Sequence, residues 1–329
     1  MAARSAAAGK AELEMRIVSF LPSATEMVYA LGLGDQLAGV THECDYPPAV
    51  KSKPVVVRSA IETKDLTSHQ IDEAVSKTLK AGQSLYTVDE ALLKQLAPDL
   101  ILTQDLCQVC APSGHEIGRV LQFLPRAPQI VYLTPTCLEE IFSNIRQVGQ
   151  ATGRMDEADG LVRRLRKRAE AVADRALSLS SRPRVYCMEW LSPPYNAGHW
   201  MPELVELAGG VDGLGRKGKD SIRLAWKQIL EYAPEVLILS PCGFHLEEVL
   251  CQAHLVTTYP DWERLPAVER GRIYAVDASS YFARPGPRVV DGLELLAHLV
   301  HPDRFPWSGP LGAYRSLSAE ELRLIAAKR

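Results

Sequence analysis

Leu96-Ala97-Pro98-Asp99-Leu100-Ile101-Leu102 and Tyr232-Ala233-Pro234-Glu235-Val236-Leu237-Ile238 are one phrase written twice in distant parts of the chain. Each closes a helical pattern on Ala-Pro, passes an acidic residue and runs into an apolar stretch. Proline cannot continue a helix and biases the residue before it away from helical backbone, so each phrase predicts helix, stop and buried strand. Working outward from the first, strand patterns stand at Met15–Phe20, Gln36–Thr41, Pro54–Val57 and Gln129–Leu133. Helical patterns at about Ala24–Leu33, His69–Lys80, Val88–Leu96 and Glu116–Phe123 alternate with them. Around the second phrase, strands are expected at Arg184–Met188 and Arg272–Val276, with helices at about Pro202–Ala208, Ala225–Tyr232 and Pro287–Val300. Strands alternating with helices argue for mostly parallel sheets covered on both faces. A helix opened by proline and closed by glycine also occurs twice, at Pro22–Gly34 and Pro202–Gly210.

Between the two regions, Cys137 to about Leu177 has no proline and is rich in Ala, Leu, Glu and Arg. It is expected as one long helix or a closely broken pair, with Gly149 and Gly153 as the bending points. The predicted fold class is therefore α/β: two Rossmann-like lobes with mostly parallel sheets, joined by one long helix, with the ligand cleft between the lobes. The expected units are an N-terminal extension (1–14), a first α/β lobe (15–136), the linking helix (137–182), a second α/β lobe (183–304) and a C-terminal extension (305–329). Ligands of open α/β sheets bind beyond the carboxyl ends of the strands, which makes the cleft the expected site.

The 329 residues are 47% hydrophobic and 23% charged, which excludes global disorder. With 37 basic and 40 acidic side chains the formal net charge is -3, and no concentrated basic face points to nucleic acid. The run Arg163–Arg168 reads as the solvated face of the linking helix. No apolar run reaches the ~20 residues that span a bilayer, so membrane insertion is not expected. The first fifteen residues, with Arg4, Lys10, Glu12 and Glu14 among alanines, lack the apolar core of an export signal. Seven cysteines without regular disulfide spacing add to an expected reducing, cytoplasmic location, or a periplasmic or organellar one if the N-terminus is processed.

Three segments follow predicted strands and carry unusual chemistry: Thr41–Pro48, Gln104–Ser113 with His115 close behind, and Glu189–Trp200. Cys107 and Cys110 have the C-x-x-C spacing of metal knuckles and redox dithiols, and His42, Cys44 and His115 are candidate further ligands for a metal or for cobalt. Two loop cysteines held reduced is the plainer alternative. Trp190, Tyr195, Trp200, Tyr281 and Phe282 place aromatic surface in predicted loops, which suits a large flat or apolar ligand, the alternative being packing under the loops. His199 is either a ligand contact or a cap of the helix near Pro202. Ser23 reads as a helix N-cap with Glu26 at the capping-box position, not as a nucleophile. Glu26, Glu203 and Glu206 in early helices either favour the helix dipole or dock a basic partner. No G-x-S-x-G elbow, Walker A motif or H-E-x-x-H helix is present, so a non-catalytic protein is expected.

Four stretches carry a family resemblance: Ile17-Val18-Ser19-Phe20-Leu21-Pro22-Ser23-Ala24-Thr25-Glu26, Ala97-Pro98-Asp99-Leu100-Ile101, Glu203-Leu204-Val205-Glu206-Leu207-Ala208-Gly209-Gly210 and Arg284-Pro285-Gly286-Pro287-Arg288. From about Arg16 to Pro302 the chain resembles the cobalamin-binding members of the periplasmic-binding-protein family, whose two lobes are joined by a long helix. The resemblance implies a cobalamin or related corrinoid as ligand in the interlobe cleft, for uptake, trafficking or buffering. It implies contacts from Pro22, Ser23, Tyr46, Trp190, Trp200, Tyr281 and Phe282, with Tyr195, His199 and Arg284 added from the same loops. In transport members an acidic residue of each lobe docks an ABC permease; Glu206 and, near Asp89, Glu90 match those positions. The H-E-C-D and C-x-x-C segments look like a soluble subfamily handing its corrinoid to a receiving protein. The alternatives are a binder of haem, an iron chelate or a metal cluster through Cys107/Cys110, and a tetrapyrrole-modifying enzyme or chaperone.

Overall fold

The computed structural model describes residues 15–105, 118, 121–122 and 124–327. The first sheet has the order β4-β3-β2-β1-β5-β6, from β1 (Ile17–Ser19), β2 (Leu37–Thr41), β3 (Val55–Ser59), β4 (Tyr86–Val88), β5 (Leu100–Thr103) and β6 (Gln129–Tyr132). All its pairings are parallel except that of β4, which runs antiparallel on β3 at the edge. The second sheet has the order β12-β11-β10-β7, from β7 (Val185–Met188), β10 (Val236–Leu239), β11 (Ile273–Val276) and β12 (Tyr314–Leu317), with β12 antiparallel at its edge. A short parallel ribbon joins β8 (Gly198–His199) to β9 (Arg216–Lys217). Central strands β1, β5 and β10, and β7 at the edge of the second sheet, are buried along their whole length, as parallel strands covered on both faces must be.

The helices whose full span lies within the described residues are α1 (Pro22–Ala30), α2 (Ser68–Lys80), α3 (Glu90–Leu96), α4 (Leu138–Thr152), α5 (Met155–Leu177), α6 (Met201–Leu207), α7 (Trp226–Tyr232), α8 (Leu246–Gln252), α9 (Pro266–Glu269), α10 (Ala278–Tyr281), α11 (Val289–Val300) and α12 (Ala319–Ala327). The repeated phrase takes the same backbone twice. Helices α3 and α7 end on Ala97 (φ +42) and Ala233 (φ +50), whose amides return to Leu93 O and Ile229 O at 3.0 Å each, and the prolines then release the chain into β5 and β10. Alanine bears a left-handed cost there that glycine would not, and it recurs in both lobes.

The segment 137–182 is a broken pair. Gly153 (φ +69) caps α4 in the left-handed region, Arg154 is non-helical, and α5 runs back along α4. Arg146 meets Asp159 at 2.7 Å, Arg166 meets Glu139 at 2.5 Å and lies over the Phe142 ring, and Gly149 faces Ala158 so closely that a Cβ would stand 2.5 Å from that of Ala158. Only α5 therefore carries the chain to the second lobe, where Arg168 binds Asp291 and Glu294 of α11. At 1.5 Å per residue it is roughly 35 Å long. One apolar core runs without a break from β1, α1 and β5 through α4 and α5 to α6, β7, β10 and α11, and two further clusters fill the opposite faces of the two sheets.

Candidate functional site

The carboxyl ends of the two sheets face each other, and the loops leaving them meet. From the first lobe come the α1 N-terminus, the 42–47 loop after β2 and the start of α2. The second lobe contributes the loop after β7, the His245 turn after β10, and the 277–288 turn after β11. Arg284, 8% exposed, donates to Asp45 Oδ1 at 2.5 Å and to Glu43 O at 2.9 Å. Arg288 donates both guanidinium arms to Glu26, at 2.9 and 2.6 Å, and its guanidinium carbon lies 4.2 Å from the centroid of the Tyr46 ring. His245 completes the cluster, with Nε2 2.8 Å from Asp45 Oδ2 and Nδ1 3.0 Å from Asp277 Oδ1.

These contacts set the protonation states. Hydrogen bonds to Asp277 and Asp45 raise His245 to about 9, so it is an imidazolium at neutral pH. Burial opposes ionisation of Asp45, but the bonds from His245 and Arg284 hold its carboxyl well below the usual range. Glu26 is 4% exposed, and there burial wins: its carboxyl is pushed up although Arg288 holds it. Burial also pushes two carboxyls of the second lobe to about 7: Glu189, which accepts from the Gly198 amide, and Asp212, which accepts from Leu214 and Gly215.

A second set of contacts crosses the cleft beside the first. Ser68 N and Oγ both donate to Gln252 Oε1 at 2.6 Å, and Trp190 Nε1 donates to Ser68 O at 2.9 Å. Arg223 donates to Asp72 Oδ2 at 2.7 Å and to the Tyr195 hydroxyl at 2.9 Å, while that hydroxyl donates to Asp72 Oδ1 at 3.2 Å.

Of the residues expected at the site, Tyr46 stands 46% exposed at the lip of the first lobe, while Trp190, edge-on to Phe244, and Tyr195 lie partly exposed on the second. Arg284 lies between the lobes. Pro22 opens α1, and Ser23 is buried beneath Gly286, where a Cβ would be 3.4 Å from Ser23 Cα. Trp200, Tyr281 and Phe282 are 6%, 8% and 3% exposed within the continuous core, and Trp200 Nε1 donates to Phe282 O. His42 is exposed with Nδ1 3.2 Å from Thr41 Oγ1, and Cys44 is buried with Sγ 3.2 Å from Thr25 Oγ1, its thiol pushed by burial to about 11. Cys107, Cys110 and His115 lie outside the described residues. Among the described residues no group of three or more His, Cys, Asp or Glu is placed to hold a metal. Glu90 is the first residue of α3, behind the N-cap Asp89, and Glu206 is exposed on α6 and paired with Lys217 at 2.7 Å.

Two expected caps are corrected. Helix α1 begins at Pro22 with Leu21 as its N-cap, so Ser23 is inside the first turn and Glu26 is turned to Arg288 instead of back to the chain. His199 does not cap α6; its Nε2 lies 3.0 Å from Asp220 Oδ1, and Trp200 holds the cap position. Missing from the expected set were Asp45, His245, Asp277, Arg288 and the Ser68, Asp72, Arg223 and Gln252 contacts. Glu26 and Arg288 are 262 residues apart, and no local spacing in the sequence joins them.

Comparison with known proteins places this geometry. An ABC transporter substrate-binding lipoprotein of Bacillus subtilis is 26% identical over 298 residues, 88% of this chain and 81% of the relative. A vitamin B12-binding protein of Vibrio cholerae is 26% identical over 284 residues, 85% of this chain and 86% of its own. Among solved structures, the periplasmic vitamin B12-binding protein of Vibrio cholerae superposes with a TM-score of 0.62 at 23% identity, covering 87% of this chain and 96% of that one. A periplasmic haem-binding protein from Pseudomonas aeruginosa does so with 0.70 at 19% identity, covering 93% and 99%. The expected cytoplasmic location is corrected by these relatives, which are periplasmic proteins and lipoproteins. The periplasmic binding protein model matches residues 17–279, and the chain belongs to that family.

Proposed function

We propose that the protein binds cobalamin or a related corrinoid in the interlobe cleft, without catalysis, and presents it to an ABC permease. The observation that carries the ligand class is the match to vitamin B12-binding relatives over nearly the full length of both chains. The cleft supports it. Tyr46 on one lobe and Trp190 on the other offer aromatic surface for a large ring, while the expected contacts Pro22 and Ser23 are buried at the start of α1. Trp200, Tyr281 and Phe282 are buried in the continuous core. Glu90 and Glu206, one on each lobe, are the docking points proposed for the permease.

The test is a visible-spectrum titration of ligand-free protein with aquocobalamin and cyanocobalamin, with haem as competitor. Saturable binding of both corrinoids at micromolar or tighter affinity, resistant to equimolar haem, is the expected result. A marked shift with aquocobalamin alone assigns a protein ligand to cobalt. Haem binding without corrinoid binding moves the protein to the haem-binding reading, which the haem-binding structural neighbours favour.

A further inference from the structure

Residues 61–84 leave the first sheet after β3 and return just before β4, and the neck of this excursion is pinned by the bond from Ala60 N to Leu85 O at 2.8 Å. The excursion holds α2, yet only Ser68 and Ile71 within it are buried. Its long-range side-chain bonds go to the other lobe: Ser68 to Gln252 and Trp190, Asp72 to Arg223 and Tyr195, Ser76 Oγ to Arg223 at 3.1 Å, and Leu66 O to Gln252 Nε2 at 3.2 Å. Positive φ at Asp65 (+65) and Gly82 (+66) marks a turn on each side of the helix. A segment held by one pinned neck, with little apolar anchoring at home and polar bonds across the cleft, opens at lower free energy than the sheets it connects.

We propose that 61–84 is a strap that closes the cleft on this side, tied to the second lobe by Asp72–Arg223 and by Ser68 on Gln252 and Trp190. The inference rests on the corrinoid reading only for its cargo. In the closed state the strap occupies the hydrogen-bonding edge of Trp190 and the hydroxyl of Tyr195, two side chains of the proposed ligand surface. A ligand reaching them on this side first displaces the strap, and it enters a protein whose open fraction sets the association rate.

The tie is tested with Arg223→Ala, Asp72→Ala and the exchanged pair Asp72→Arg/Arg223→Asp, followed by amide hydrogen exchange and by stopped-flow binding of cyanocobalamin. The single variants are expected to speed exchange at residues 66–80 about tenfold, a shift of about 1.4 kcal/mol in local opening, with protection of β1, β5, β7 and β10 unchanged. The exchanged pair is expected to restore most of that protection, and cyanocobalamin association is expected to rise severalfold in the single variants and fall back in the exchanged pair. Unchanged exchange at 66–80, or equal acceleration across both sheets, overturns the strap. Faster exchange with an unchanged association rate overturns its role as a gate. If the wild-type chain binds no corrinoid, the ligand reading alone is lost, and hydrogen exchange decides whether the strap exists.

Discussion

Replacing Arg288 by methionine keeps the length of the side chain and removes the charge that faces Glu26. Glu26 is 4% exposed and takes both arms of the Arg288 guanidinium, so the variant leaves a buried carboxylate short of its main partner. Breaking one half of a buried pair costs about 3–5 kcal/mol. Arg284 still lies 3.7 Å from Glu26 Oε1, which puts the expectation at the lower end, about 3 kcal/mol, read by urea unfolding at pH 8. The loss must depend on pH. Burial already raises the Glu26 carboxyl above its ordinary range, and the opposing effects of Arg288 disappear in the variant, so the folded state holds the proton more tightly still. An acid whose folded pKa is raised gives up stability as pH rises from the unfolded value upward, so the deficit at pH 5 is smaller than at pH 8. In the pair Glu26→Gln/Arg288→Met most of the deficit is recovered, because no buried charge remains. A deficit below about 1 kcal/mol that does not change with pH would refute the buried-pair reasoning and mean that the lobes part to let water reach Glu26.

His245, raised from 6.5 to about 9, gives stability that is whole below pH 6.5 and lost as pH climbs to 9. Because the ring is 44% exposed the effect is discounted to about 1 kcal/mol, and the decline in unfolding free energy between those pH values is absent in His245→Gln. Gly149→Val drives a side chain into Ala158 and the Arg154 carbonyl, and is expected to cost about 1–3 kcal/mol in urea unfolding. Alkylation of the native protein with iodoacetamide at pH 8, mapped by mass spectrometry, labels exposed Cys242 and Cys251 within minutes and leaves Cys44 and Cys187 unlabelled until unfolding.

The architecture was legible because it is written in local chemistry. Ala-Pro stops, the fully buried strands β5 and β10 and the α11 pattern each declare themselves locally, and each is where the sequence placed it. The turn at Gly153 was half legible: the glycine was visible, but whether the helix bends or reverses depends on Ala158 and Asp159 packing back on α4. Edge strands β4 and β12 escaped notice because antiparallel edges need no buried run on both faces. The site was the least legible part. Glu26 looks like a cap because glutamate three residues after a serine usually is one, and only Arg288 on the opposite lobe says otherwise. Trp200 and Phe282 looked like loop aromatics because loops with proline conceal how deeply a turn is packed.

The unbroken apolar core through α5 makes the two lobes one unit of folding. Ala169, Val172 and Ala176 on α5 pack in the same cluster as β1 and α1 on one side and α6 and α11 on the other. Neither half of the chain, cut near residue 182, retains the partner that covers its share of that cluster. One cooperative unfolding transition is therefore the expected outcome despite the duplicated architecture, with two separately expressed halves expected to gain structure on recombining, both read by circular dichroism.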